Sequence, residues 1–425
     1  MRPCRLIPAL AIAVALLLTG CGARRSSPVT IRFWNGFTGP DGRTMLRMVQ
    51  RFNAENPDVQ VLMQRMDWST YYNKLFVAGI GGRAPEVFVL HTRVMRRFSE
   101  AGFARPVDDL LSGPEPLDAG DLDANVWAAV RFGGRHHGLP LDVHPLGMYA
   151  NRRLLREAGV VDARGGPALP ADGPSLLAAA RRVTKSAAPG QPPRWGFVFA
   201  NGLTNAYTLM RQFGGEFFTP DGARCTMDDP RNARALRFCA DLVRRERVAP
   251  APESFDAWIG FRQGKVAMAF EGIYMLADLR KQTDLDFTGA PVPRIGPRPA
   301  VWADSHNLCL REGMDERRLR AAWRFVKYLS DHSLDWAEGG QVPVRRSLRD
   351  TERFRKMKVQ AAFARQIADV RYLPSLPFVF EFETELGIAV DRALRGSASP
   401  EEALRTAAAN VNRVIARRRA AGVAP

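Results

Sequence analysis

The sequence predicts an α/β protein with two comparable cores behind an export signal. Three observations carry that reading. Short β-rich segments alternate with helical periodicity in the order strand, helix, strand, helix, strand, which implies a mainly parallel sheet covered by helices. A similar set of strands and helices follows from Leu146 onward. The 425 residues, 46% hydrophobic and 25% charged, are globular in composition and long enough for two or three cores. Fibrous, collagen-like and wholly disordered classes are excluded. A mean hydropathy of −0.21 with one long apolar run argues against a polytopic membrane protein. The formal charge of +17 raises nucleic acid, anionic membrane and acidic ligands as partners.

The N-terminus reads as an address. Arg2 and Arg5 precede an apolar stretch from Leu6 to Leu18, the layout of a secretory signal. The stretch is shorter than the ~20 residues a membrane-spanning helix needs. It ends in Leu18-Thr19-Gly20-Cys21, which resembles the bacterial lipoprotein signal box. Residues 1–20 are thus expected as signal peptide, Cys21 as the lipidated mature N-terminus, and 21–28 as a polar tether. Of five cysteines, Cys4 leaves with the signal and Cys21 takes the lipid. Among Cys225, Cys239 and Cys309 at least one is unpaired within the chain. A Cys225–Cys239 bridge and buried free thiols both stay open.

The elements follow in order. Val29–Trp34 alternates as a strand, and Asn35–Pro40 is a turn cluster. Asp41 is placed to cap a helix on which Met45, Met48/Val49 and Phe52 recur at helical spacing; Pro57 ends it. Val59–Met63 is a strand, Tyr71–Gly79 a helix and Glu86–Leu90 a buried strand. In the second core, Leu146–Ala150 is a strand, Arg152 starts a helix that Gly159 stops, and Gly165–Pro174 is a loop. Ser175–Val183 is helical, Trp195–Ala200 a strand, Arg231–Arg247 an amphipathic helix and Val266–Phe270 a strand. Glu316–Leu329 and Glu401–Arg417 are strong amphipathic helices. No fixed-period repeat occurs, which disfavours solenoids and propellers.

Several short motifs stand in a familiar order. Phe33-Trp34-Asn35-Gly36-Phe37-Thr38-Gly39-Pro40, Arg51-Phe52-Asn53-Ala54-Glu55-Asn56-Pro57 and Gly81-Gly82-Arg83-Ala84-Pro85-Glu86-Val87-Phe88 resemble the opening third of carbohydrate-class extracellular solute-binding proteins, the maltose-binding-protein-like family. Glu86 stands where that family usually has Asp. Gly138–Asp142 followed by Met148–Asn151, Phe213–Glu216, Gly264–Gly272 and Gly339–Arg345 continue the resemblance over nearly all of the mature chain. Each motif is weak alone; their shared order is specific. The resemblance implies a two-lobed periplasmic-binding-protein-like fold, with each lobe a mainly parallel sheet flanked by helices. Crossovers are expected near Val143–Pro145, Ala290–Pro293 and Tyr328–His332. Residues 29–142 and 294–330 would form lobe 1, and 143–293 and 331–425 lobe 2. The ligand would sit between them, closing the hinge.

A sugar offers hydroxyls and apolar ring faces, so its site needs aromatic planes beside amide, carboxylate or imidazole groups. Ligands in open parallel sheets lie beyond the carboxyl ends of strands. Candidates there are Trp34, Asn35, Phe37 and Thr38 after the first strand, Asp67, Trp68 and Tyr71 after the second, and His91 and Thr92 after the third. Asp67 serves equally as a helix cap. Asp142 and His144 stand at the first crossover. Asn205 follows the strand ending at Ala200; Glu271, Gly272 and Tyr274 follow the Val266 strand. There the family often has Gly-Pro-Trp with a sugar-stacking Trp, and Tyr274 matches that Trp while Ile273 replaces the Pro. Trp302, Ser305 and His306 form a polar-aromatic segment. Arg345 is the one charged candidate, for a hydroxyl or an anionic substituent.

Motifs of other chemistries are missing or broken. No HExxH or GxSxG is present, and the adjacent His136-His137 cannot face one metal as an i,i+4 pair would. Asp121–Asn125 hints at a calcium loop, but Val126 stands at the turn Gly and Phe132 at the bidentate Glu. Gly260–Lys265 is too short for a phosphate loop. No metal, cofactor or catalysis is therefore expected. The resemblance implies a monomeric, lipid-anchored sugar receptor on the extracytoplasmic face of a bacterial membrane, serving an ABC permease. Alternatives are a receptor for a phosphorylated polyol such as a glycerol phosphodiester, or a secreted carbohydrate-active enzyme. Basic residues cluster on helices and at Arg417-Arg418-Arg419, outside the candidate loops, and no nucleic-acid motif accompanies them. Loss of Arg2 and Arg5 takes +17 to about +15, a property of the exterior that favours an anionic membrane surface.

Overall fold

A computed structural model describes residues 27–189, 193–252 and 255–422. The expected signal peptide and Cys21 lie outside the described residues. Strand β1 (Val29–Asn35) buries Ile31, Phe33 and Asn35 on alternate positions. It pairs in parallel with β2 (Val59–Arg65) and β3 (Val87–His91). Helix α1 (Pro40–Glu55) starts with Pro in its first turn, and its cap is Gly39, with no side-chain hydrogen bond. Asp41 lies inside that first turn instead of capping it, where a carboxylate suits the positive helix end. Asp67 caps α2 (Trp68–Ile80), its carboxylate accepting from Ser69 N at 2.9 Å. Phe325 packs edge-on against Phe33 and Phe52, with centroids 5.2 and 5.1 Å away, in the core under this sheet.

The family's usual Asp is Glu86 here, and the longer side chain has a use. It accepts from the Arg32 guanidinium at 2.9 and 3.0 Å and from Arg32 N at 2.9 Å. Burial opposes its ionisation, but Arg32 outweighs burial and holds the carboxyl below its ordinary value.

The chain leaves the first sheet after β4 (Leu139–Pro140) and enters the second with β5 (Asp142–Asn151), every residue of which is buried. Leu141 is the crossover. In the second core come α3 (Gly173–Val183), β6 (Trp195–Phe199), α4 (Gly202–Gln212), α5 (Pro230–Arg244), β7 (Val266–Gly272) and β8 (Phe287–Ala290). β9 (Val301–Asp304) still belongs to the second sheet, and β10 (His306–Leu310) pairs antiparallel with β3 and β4 in the first. The return crossover is therefore Ser305, not the expected Ala290–Pro293. The Pro/Gly-rich run after Ala290 reads as a break but is a loop tied to Gln212. That amide donates to Pro293 O and Ala300 O at 3.1 Å and accepts from Ile295 N at 2.8 Å.

Helix α6 (Glu316–Asp331) packs on β1, after which β11 (Val342–Pro343) joins the second sheet beside β5. β12 (Val370–Arg371) follows, and then α7 (Val379–Arg395) and α8 (Pro400–Ala420). These two helices pack on each other and on α5. The first sheet has the order β2-β1-β3-β10-β4. The second runs β12-β9-β5-β7-β6, with β8 and β11 also on β5. Because β5 is antiparallel to β7, β8, β9 and β11, the second sheet mixes directions more than periodicity implied. Cys225, Cys239 and Cys309 are buried free thiols, which decides against the bridge. Burial pushes the Cys225 thiol up to about 11 and Cys239 to about 12. No helix among the described residues is long and apolar enough to cross a membrane.

Candidate functional site

The carboxyl ends of β1 and β3 and the start of α2 face the end of β7, the start of α4 and the β9–β10 crossover. Between them lies a cavity of about 500 Å³. Trp68, Tyr274 and Trp302 give it aromatic walls; Thr38, Asp41, His91, Arg93, His144, Asn201, Thr204, Asp304, His306, Gln341 and Glu383 add polar groups. Both sheets thus contribute to one chamber. Gly272 lets Tyr274 fold over it, since a Cβ there would lie 2.0 Å from the tyrosine ring.

Asp142 organises one side. Its Oδ1 accepts from His144 Nδ1 at 3.0 Å and from His306 N at 3.1 Å; its Oδ2 accepts from His306 Nδ1 at 2.7 Å and Trp336 Nε1 at 2.5 Å. Complete burial opposes its charge, but the two imidazoles and their hydrogen bonds prevail and hold the carboxyl far below the usual range. Burial also resists protonation of His306, yet Asp142 raises its pKa. His144 titrates low because burial and His306 outweigh Asp142. His91 is lower still, from burial and from Arg93, His306 and His144; its Nδ1 pairs with Tyr72 Oη. Phe37, wholly buried, sets its ring against Trp68, His306 and Trp336 and so supports this wall from behind.

On the other side Arg93 is held by two carboxylates. Its Nη1 donates to Asp304 Oδ2 and its Nε pairs with Glu383 Oε1, both at 2.8 Å. Asp304 Oδ1 also accepts from Thr92 N at 2.8 Å. Arg93 follows β3, Asp304 ends β9 and Glu383 lies on α7, so the cluster joins the two cores.

Of the residues expected at the site, Thr38, Trp68, His91, His144, Tyr274, Trp302 and His306 line the cavity. Asp142 and Phe37 stand directly behind it. The rest do not reach it. Trp34 and Asn35 pack into the core, Asn35 Oδ1 accepting from Phe37 N. Asp67 is exposed as a cap. Tyr71 is buried on the inner face of α2, donating to Trp34 O and accepting from Val89 N. The Thr92 hydroxyl accepts from Asn307 Nδ2. Asn205 points inward and donates to Asn201 O and Phe270 O. Glu271 turns back to accept from Gly272 N and Tyr274 Oη. Gly272 is backbone support, and the Ser305 hydroxyl bonds Tyr372 Oη at 2.7 Å. Arg345 is spent on Asp121 and Asp331. The cavity's cation is instead Arg93, missed although it stands two residues after His91 at a strand end.

Two α/β cores with a solute-sized chamber at their crossovers define a binding protein that encloses a small molecule between its lobes. Residues 38–333 match the bacterial extracellular solute-binding protein family, and the chain belongs to it. The family expected from the motif order is thereby confirmed. The sugar-binding protein MalE from Xanthomonas citri superposes with a TM-score of 0.80 at 20% identity, covering 92% of this chain and 98% of that one. An ABC substrate-binding protein from Listeria monocytogenes in complex with cycloalternan gives 0.79 at 20% identity, covering 92% and 99%. The sn-glycerol-3-phosphate-binding periplasmic protein of Escherichia coli is 21% identical over 449 aligned residues, covering 98% of each chain.

Proposed function

We propose that this protein captures a sugar or oligosaccharide in the interlobe cavity and delivers it to an ABC permease. One observation carries the reading. Beside the aromatic walls, the wholly buried Gln341 amide and the Trp302 indole N–H have no hydrogen-bond partner among the described residues. Buried polar groups need partners, and hydroxyls on a flat apolar ring supply them while the ring stacks on Trp68 or Tyr274. Trp68, Tyr274, Trp302, Thr38 and the three cavity histidines are the proposed contacts. The neighbours solved as sugar-binding proteins support the same class. In this reading Leu141, Ser305 and the segment after His332 act as hinges, and the protein works as a monomer. It is held by lipid on Cys21 at the extracytoplasmic face of a bacterial membrane.

The similarity to the glycerol-phosphate-binding protein favours a phosphorylated polyol as the second reading. Arg93 would be its anion partner, but two carboxylates already neutralise that guanidinium. A neutral sugar suits the cavity better. A thermal-shift screen against mono- and oligosaccharides and glycerol phosphates separates the two, since a tight ligand raises Tm by mass action. Tyr274→Ala should weaken sugar binding by ~1–3 kcal/mol in calorimetry. Equal affinity in the folded variant removes that ring from the site. Cys21→Ala should abolish incorporation of labelled lipid and release the protein from membranes; continued labelling refutes the anchor.

A further inference from the structure

Three histidines distant in sequence converge on one wall of the cavity: His91 ends β3, His144 lies in β5 and His306 begins β10. One ring nitrogen of each lies within 4.8 Å of the other two. Their ring centroids are 5.6, 4.8 and 4.4 Å apart. An ionised carboxylate can only accept, so Asp142 takes Nδ1–H from both His144 and His306 and leaves each neutral ring its lone pair on Nε2. A phenol can accept as well as donate, so Tyr72 Oη can do the same for His91. Carboxylate or hydroxyl groups that fix the tautomer through Nδ1 are the usual support of histidine metal ligands. Among the described residues no side chain hydrogen-bonds the three Nε2 atoms. With Nδ1 of each ring engaged, Nε2 is the nitrogen left to ligate, and one cation between the rings would take up all three lone pairs.

We propose that His91, His144 and His306 bind one divalent transition-metal cation of the zinc class, with its fourth position open to the cavity. Three nitrogen ligands with an open place form a recurrent zinc arrangement. Zn–N bonds of about 2.0–2.1 Å put tetrahedral nitrogens roughly 3.3 Å apart, so nitrogens now within 4.8 Å of one another draw in by up to about 1.5 Å on binding. Trp68 and Tyr274 line the same cavity, where a solute oxygen or a water would complete the shell. The proposal stands independently of the sugar reading, because it needs no organic ligand.

The test uses purified protein stripped with EDTA and titrated with Co²⁺ alone. One equivalent should produce visible ligand-field bands of tetrahedral intensity, which one equivalent of Zn²⁺ then abolishes. His91→Gln, His144→Gln and His306→Gln should each lower Zn²⁺ affinity by at least ~100-fold, and Asp142→Asn by about 10–100-fold. His332→Gln should bind as the parent does, since that ring bonds the Tyr328 carbonyl outside the cluster. Circular dichroism checks the fold of each variant. If the variants fail to fold, the parent titration decides alone: no bands, or clearly less than one Zn²⁺ per chain by atomic absorption, overturns the site. Undiminished binding in the folded histidine variants also overturns it. Sugar calorimetry on the EDTA-treated protein fails or succeeds separately.

Discussion

Asp142→Ala is expected to cost about 3–5 kcal/mol of folding stability in urea unfolding. The side chain is completely buried and accepts four hydrogen bonds: from both His144 and His306 rings, His306 N and Trp336 Nε1. Truncation leaves those donors in a dry site, where each unpaired group bears its full desolvation cost. The bonds also join separate pieces of chain. Asp142 opens β5 beside the Leu141 crossover, His306 follows the Ser305 crossover, and Trp336 lies on the short helix Ser333–Ala337. Asp142→Asn retains an acceptor oxygen and should lose less. A loss below ~1 kcal/mol for the alanine variant would show that the network is not a stability determinant.

The second large effect concerns Arg93. Arg93→Ala should destabilise this arrangement of the two cores by about 2–5 kcal/mol, the range for truncating one member of a buried, hydrogen-bonded charge cluster. The guanidinium reaches from the end of β3 to Asp304 and Glu383 at 2.8 Å each. Without it, those two carboxylates, both carried by the second core, lose their tie to the first. Small-angle scattering of the ligand-free variant should show a larger radius of gyration than the parent. Arg156→Ala, whose partner Asp286 lies in the same core, should not open the lobes. Identical scattering for the Arg93 variant and the parent would sink the clamp.

Much of the architecture was legible because strand alternation and helical spacing are local signals. Val29–Asn35, Val59–Arg65 and Val87–His91 carry them clearly, and the rule that ligands sit at the carboxyl ends of strands led to Thr38, Trp68, His91 and Tyr274. The same rule overreached for Tyr71 and Asn205. Both lie in the expected segments, but on the inward faces of α2 and α4, and the turn of each helix presents Trp68, Leu203 and Thr204 to the cavity instead. The crossover at Ser305 was hidden because Val301–Leu310 reads as one polar-aromatic run; only strand pairing shows that its halves belong to different sheets.

The sequence alone determined the order of elements, through residue types at short spacing, and the class of protein, through the resemblance of its motifs to a known family. Tertiary structure decided the partners of the polar groups. Nothing near Arg345 predicts that Asp121 and Asp331 will claim it, and nothing near His91 predicts His144 and His306. A charged or imidazole side chain takes its role from whichever group lies within a few ångströms, and for Arg345 those groups arrive from 14 and 224 residues away along the chain.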